Sequence, residues 1–331
     1  MNAAVEGTMK HAVMTAVVAV ALAGSTGAGL AQDASSYPSK PIRFVAPEVV
    51  GSATDVLARI LAKHLAVALG QPVNIDNIFG TPGMLSGMQA PPDGYTIIYG
   101  SAGTLALSPQ INKGLPYNTL TDFVPVSLYS INPSLLAVHP SLPAKDVREL
   151  IALLKAKPKE MKMSTAGKGT SGHFSGVLFN SMAGVDPVVV HYPGGGPAIE
   201  AVLNNEAPWT FAPIAGRLPH VRSGKLKALA TGAAKRLTVL PEVPTVAESG
   251  LPGYESVGWS GIWVQKGTPQ PIVDKLHATL VKVIASPELK RDVLDAGSEA
   301  QSSTPAELMT RLRDEYATLA RLAKAAGVVA E

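Results

Sequence analysis

Short apolar runs alternate with amphipathic stretches along this chain, and the junctions between them are rich in Gly, Ser, Thr and Pro. The pattern predicts a strand over 42–46, a break at Pro47, a loop over 48–53 and a helix that ends at Gly70. Thr54 is placed to cap that helix, Asp55 falls in its first turn, and Leu57, Leu61, Leu65 and Leu69 recur at helical spacing. Strands follow over 73–76 and 95–99, the second entered through the turn Pro91-Pro92-Asp93-Gly94, with at most a helical turn over 84–89 between them. Residues 100–104 read as a loop at a strand end. Such strand, polar loop and helix repeats suit βα units around a parallel sheet.

Residues 123–138 read as one or two strands interrupted at Asn132-Pro133, and a helix opens at Pro140 and runs to Ala156. A second α/β run follows: strand 161–165, loop 166–172, helix 173–183, strand 188–191, the turn 192–196, helix 197–204 and a further strand over 226–231. The tail holds a strand over 259–264 and helices over 269–285, 287–296 and 305–326. Two α/β lobes with a ligand cleft between them fit this order, as does a single larger α/β domain. In either case ligands belong outside the carboxyl ends of the strands, where helix N-termini offer free N–H groups to an anion.

Composition narrows the function. The chain has 331 residues with 46 % apolar composition, enough for one or two domains. Its 28 Lys and Arg against 25 Asp and Glu give +3 without a basic stripe, which argues against nucleic acid. With no Cys, thiolate catalysis, disulfides and Cys-ligated metals are excluded. Lys10 and His11 before the apolar run 12–23 and the small residues after it form a signal-peptide pattern, with a cut after Ala31. Met1 and Met9 are both candidate starts.

A catalytic constellation does not emerge. Gly-x-Ser-x-Gly does not occur, and Ser171 with His173 lacks that geometry. The histidines at 64, 139, 173, 191, 220 and 277 are scattered without zinc spacing, and Gly167-Lys168-Gly169-Thr170-Ser171 lacks the order of a nucleotide phosphate loop. What remains is a set of hydrogen-bonding loops. Thr170 and Ser171 before a helix suit a carboxylate, or simply cap the helix. Gly194 to Gly196 allows close backbone approach, or marks an unusual turn.

Tyr37-Pro38-Ser39-Lys40-Pro41-Ile42-Arg43, Thr54-Asp55-Val56-Leu57-Ala58-Arg59, Pro92-Asp93-Gly94-Tyr95-Thr96, the run from Thr165 to His173, Leu218-Pro219-His220-Val221-Arg222-Ser223-Gly224-Lys225-Leu226 and the run from Leu240 to Glu248 carry a family likeness. Together they resemble the extracytoplasmic solute receptors of tripartite tricarboxylate transporters, the Bug family. The resemblance spans the mature chain in order. It implies a type II periplasmic-binding-protein-like α/β fold with two lobes, no enzymatic activity, no cofactor and no metal. It also implies a periplasmic monomer that takes a small carboxylate-bearing ligand and delivers it to separate membrane permease subunits. The site residues it implies are Glu48, Gly51, Ser52, Thr54, Asp55, Ser101, Thr104, Gly169, Thr170, Ser171, Tyr192, Gly194, Gly195 and Phe211.

The chain departs from the family pattern in places. Glu48 replaces an aromatic residue, Val49 and Val50 replace Pro or Ala, and Ser52 and Ala53 replace Gly and Ser. The run after Asn77 is shortened, and two Asp positions are occupied by Pro208 and Ala212. The expected lobes are 32–139 with 257–331, and 140–256 inserted between them. If Glu48 points into the cleft, an ionised ligand carboxylate beside it is disfavoured. The expected ligand is then a monocarboxylate with a neutral or aromatic far end, or one whose far end is amide or amine; if Glu48 faces solvent instead, the pocket still takes ordinary dicarboxylates. A periplasmic sensor module feeding a signalling partner, or a receptor that has lost its ligand, are the alternatives.

Overall fold

The computed structural model describes residues 36–168 and 170–325; residues 1–35, where the signal peptide is expected, Gly169 and residues 326–331 lie outside the described residues. The chain divides into two units after Tyr37, and every described element lies in the second. β1 (Ile42–Ala46), β2 (Val73–Asn77) and β3 (Thr96–Ser101) pair in parallel in the order β2-β1-β3. Parallel neighbours need crossovers, which α1 (Ala53–Leu69) and α2 (Thr81–Met88) supply. α1 buries Leu57, Leu61 and Leu65 and ends at Gly70 with φ 65°, a left-handed position that favours glycine.

Its start differs from the sequence expectation. Ser52, not Thr54, is the cap: its Oγ accepts from Asp55 N at 3.2 Å, and Thr54 already lies in the first turn. The Ser-x-x-Asp spacing satisfies an orphan N–H that a cap at Thr54 would leave exposed. α2 is also longer than the single turn expected, opening at Gly80 with Pro82 in its first turn. β3 runs on to Ser101, and the expected loop is a π-helical turn over Ala102–Leu107 leading into α3 (Ser108–Ile111).

β4 (Phe123–Val138) is one strand of 16 residues. Asn132-Pro133 does not break it but marks a change of partner. Phe123 to Pro133 pair with β9 (Val257–Gln265), whereas Ser134 to Val138 pair with β7 (Trp209–Pro213). β8 (Lys227–Thr231) and β10 (Glu299–Ala300) also join β4. β5 (Lys162–Thr165) lies parallel to β7 on one side and to β6 (Val188–His191) on the other. The sheet therefore reads β2-β1-β3-β9-β4-β7-β5-β6, two parallel sets joined through antiparallel β9 and β4.

α4 (Val147–Ala156), capped by Asp146 rather than opening at Pro140, packs with α5 (Ser171–Ala183) over Trp209, Phe211 and Tyr254. α6 (Gly195–Leu203) and α7 (Leu218–Arg222) share another core through Ile199, Val202 and Leu218. The tail folds as α8 (Gln270–Ala285), α9 (Pro287–Asp295) and α10 (Pro305–Ala325). Leu308 and Leu312 of α10 pack with Leu105 and Trp263, and Phe174 of α5 reaches into that same cluster.

Candidate functional site

Two groups of polar residues stand at the carboxyl ends of the two parallel sets. Around β1 and β3, the half-buried Glu48 faces Ser101, whose Oγ lies 3.5 Å from Glu48 Oε1, and Thr54. Burial pushes the Glu48 carboxyl up to about 7, against hydrogen bonds from Thr54 and Ser101 and with added repulsion from Asp55. Ser101 and Thr104 also cap each other. Ser101 N donates to Thr104 Oγ1 at 2.9 Å, and Thr104 N donates to Ser101 Oγ at 3.3 Å. Asp55 is buried and fully engaged, accepting from Gly51 N at 2.8 Å, Arg59 Nε at 2.9 Å and Asn77 Nδ2 at 2.8 Å. Burial alone would raise its carboxyl, but these donors hold it below the ordinary range. Asp55 thus braces the loop through Gly51, which sits at φ 80°, while Val49 and Val50 are exposed.

The second group is built on the neighbours β5 and β6, whose register sets Thr165 beside His191. Thr165 Oγ1 lies 2.8 Å from His191 Nδ1. The His173 ring meets the His191 ring edge-on at a centroid distance of 4.8 Å. His173 is lowered to about 4 by burial, then by His191 and Lys168, and His191 is lowered by burial and Lys168. Thr170 caps α5. Its hydroxyl donates to Gly167 O at 2.9 Å and accepts from His173 N at 3.4 Å. Ser171, the first residue of α5, is exposed. Tyr192 is half-buried, and its N–H donates to Thr165 O at 2.9 Å. Gly194, at φ 111°, precedes α6, whose first residue is Gly195 and which no side chain caps.

Phe211 belongs to the core instead, its ring 5.7 Å from Tyr254 in a stacked pair and 5.3 Å from Phe179. Only its backbone approaches the first turn of α5: a Cβ at Gly172 would stand 2.3 Å from Phe211 O. The histidine pair escaped the sequence reading because 173 and 191 share no helical spacing. The signal was His191 at the end of β6 and His173 in the first turn of the helix that follows the neighbouring parallel strand β5. Arg217, which the sequence also did not single out, is buried to 8 % exposure, and burial lowers its guanidinium to about 10.

A cavity of about 930 Å³ opens beside these groups. Ala102 and Gly103 of the π-helical turn line one side, Ser171 and Ser175 of α5 another, and Ser134 and Ser256 bring hydroxyls from the β4 and β9 crossing. Ser175 Oγ and Ser256 Oγ are 2.6 Å apart, and Ser134 Oγ donates to Ser256 O at 2.9 Å. α10 contributes Arg311 and Glu315; Trp259 Nε1 donates to Glu315, whose carboxyl is raised by burial. Of the described residues singled out from the sequence, Ser171 lines this cavity, whereas Glu48, Tyr192, Gly194 and Gly195 do not and Phe211 is a core residue. Among the described residues no group of three or more His, Asp or Glu is placed to hold a metal ion. The arrangement offers hydroxyls and helix N-termini, which suit binding of an anionic group.

Two parallel strand sets, crossed by shared antiparallel strands and carrying polar loops at their carboxyl ends, define a two-lobe α/β fold of the type II periplasmic-binding-protein kind with a ligand cleft between lobes. Residues 57–328 match the tripartite tricarboxylate transporter family receptor, and the chain belongs to that family. It is 31 % identical over 322 residues to protein BugT of Bordetella pertussis, covering 96 % of this chain and 97 % of that one. It is similar to the solved structure of R. palustris Rpa4515 with adipate, with a TM-score of 0.81 at 32 % identity, over 89 % of this chain and 100 % of the other. The periplasmic binding protein BugD superposes with a TM-score of 0.78 at 31 % identity, over 89 % of this chain and 100 % of that chain.

Proposed function

We propose that this protein is an extracytoplasmic solute receptor that captures a small carboxylate-bearing ligand between its lobes and delivers it to a tripartite tricarboxylate-type membrane transporter. It performs no chemistry on that ligand. Export through the leader at 1–31 would put it in the periplasm as a monomer, with separate permease subunits as partners. Family membership and the adipate carried by Rpa4515 support the ligand class. The observation that carries the reading is Ser171, exposed in the first turn of α5 and opening onto the cavity opposite Gly103.

In this reading Ser171, with the N–H groups of the first turn of α5, holds a ligand carboxylate, and Thr170 fixes the loop that presents them. Ionised Glu48 leaves the other side of the cleft to neutral or cationic groups. The partner change in β4 supports a hinge at Pro133–Ser134 and Ser256–Val257, so that 134–138 move with the 140–256 lobe. Hinges of this kind absorb closure on ligand.

A thermal-shift screen of mono-, di- and tricarboxylates, amino acids and aromatic acids, followed by calorimetry, tests the reading. A ligand raises the midpoint by mass action. Loss of a charge-assisted bond costs ~1.5–3 kcal/mol, so Thr170→Ala with Ser171→Ala should weaken the best carboxylate at least tenfold. Affinity within a factor of two of wild type would remove these residues from the site.

A further inference from the structure

Arg217 is buried to 8 % exposure, and its Nε is sealed from solvent with no hydrogen-bond partner among the described residues. A guanidinium carries five donors and keeps its charge, and leaving such a group buried and unpaired is costly. Its surroundings sharpen the problem. Nη1 lies 3.9 Å from where a Cβ on Gly195 would stand, so the side chain is aimed at the N-terminus of α6. α6 has nine residues, and Gly194 before it gives no side-chain cap. The N–H groups of Gly195 and Gly196 therefore have no intrahelical partner, and Pro197 adds no donor. A cation set against the positive end of a helix dipole is repelled by it. Among the described residues, the charges that act on His173 and His191 at this strand-end edge come from Lys168 and, for His173, from His191, and none is negative. Gly194 and Gly195 also leave the approach to the backbone open, since nothing but Arg217 stands within 4 Å of a Cβ at either.

We propose that Arg217 and the Gly195–Gly196 N–H groups form an oxyanion site at the N-terminus of α6, and that it seats a second acidic group of the bound solute. The assignment of the oxyanion to the solute rests on the receptor reading above; the site itself does not. Both acidic groups of a dicarboxylate then lie on the lobe carrying β5 and β6, and the apolar middle of the ligand faces Glu48. A free inorganic oxyanion would meet the same donors, and the two sources are separable.

The test uses the whole protein, with adipate, hexanoate and sodium selenate as probes. Crystals soaked in selenate should give an anomalous peak within hydrogen-bond reach of Arg217 and the Gly195 and Gly196 nitrogens, absent in Arg217→Met. Calorimetry should show adipate at least tenfold weaker for Arg217→Met, and hexanoate changed less than threefold. Met replaces a buried charge, so without anions its melting midpoint should not fall; Arg217→Lys keeps the charge should Met disturb folding, and should hold selenate. A selenate peak with adipate affinity unchanged would overturn the solute assignment in favour of a free oxyanion. No peak and unchanged adipate affinity would overturn the site while leaving the receptor reading intact. If no carboxylate binds wild type but the peak appears and depends on Arg217, the receptor reading falls and the oxyanion site stands.

Discussion

The two strand-end groups share one plan, a parallel strand feeding a hydroxyl-capped helix, yet they differ in charge. The group at β1 and β3 carries Glu48 and Asp55, and the group at β5 and β6 carries His173, His191 and Lys168, with Arg217 nearby. Ser52 caps α1 in the first, and Thr170 caps α5 in the second. The difference teaches that helix-start geometry makes anion binding available at both places, while neighbouring side chains decide where a carboxylate is welcome. In the proposed receptor reading, a ligand carboxylate belongs at the second group.

Removing the buried brace of the first group is the largest expected effect. Asp55→Ala strips the partner from Arg59, Asn77 and the Gly51 N–H. Chemical denaturation should show a loss of about 3 kcal/mol. Because the Asp55 carboxyl is held low, its contribution is present above the ordinary Asp range and fades as pH falls through its folded value. A loss that does not fade in acid would contradict the bracing role.

Backbone room separates the groups next. Gly172→Ala drives a Cβ to 2.3 Å from Phe211 O and should cost about 1–3 kcal/mol by overpacking. Gly51→Ala meets nothing within 4 Å and suffers only from φ 80°, a strain of ~1–2 kcal/mol. Ligand affinity should move with Gly172→Ala, which shifts the first turn of α5, and little with Gly51→Ala; the reverse order in calorimetry would swap their roles.

The groups should also titrate in opposite directions. Glu48, raised from 4.5 to about 7, holds an extra proton in the folded state between those values, so its contribution to stability falls as pH rises across them. His173, lowered from 6.5 to about 4, binds fewer protons when folded, so its contribution falls as pH drops across that range. Glu48→Gln should therefore raise the melting midpoint at pH 8 more than at pH 5, and His173→Asn should flatten the acid side. Equal shifts at both pH values would show that neither group titrates as described. The smallest effects belong to the caps: Ser52→Ala and Thr170→Ala should each cost about 1 kcal/mol, with only the second weakening a carboxylate ligand.

Apolar periodicity revealed β1, α1, β3 and the tail helices, because each buries one regular face. It misplaced the start of α1, since Ala53 is apolar in a loop and a helix alike, and only the hydroxyl spacing of Ser52 to Asp55 decides. It marked Asn132-Pro133 as a break, whereas β4 continues and changes partners, a long-range event without local signature. Thr170, Ser171 and Gly194 were legible because caps and glycine turns have residue preferences. His173 with His191, and Arg217 with Gly195, were not. Those juxtapositions arise from the order of β7, β5 and β6 and from burial, which no spacing along the chain encodes.

The most direct measurement is calorimetry of wild type and Glu48→Gln at pH 6 and pH 8 against the best carboxylate of a mono-, di- and tricarboxylate panel. A receptor with this charge division binds at both pH values, more weakly at pH 8 as Glu48 ionises, and Glu48→Gln removes most of that difference. No heat with any carboxylate, or an affinity indifferent both to pH and to Glu48→Gln, would contradict it.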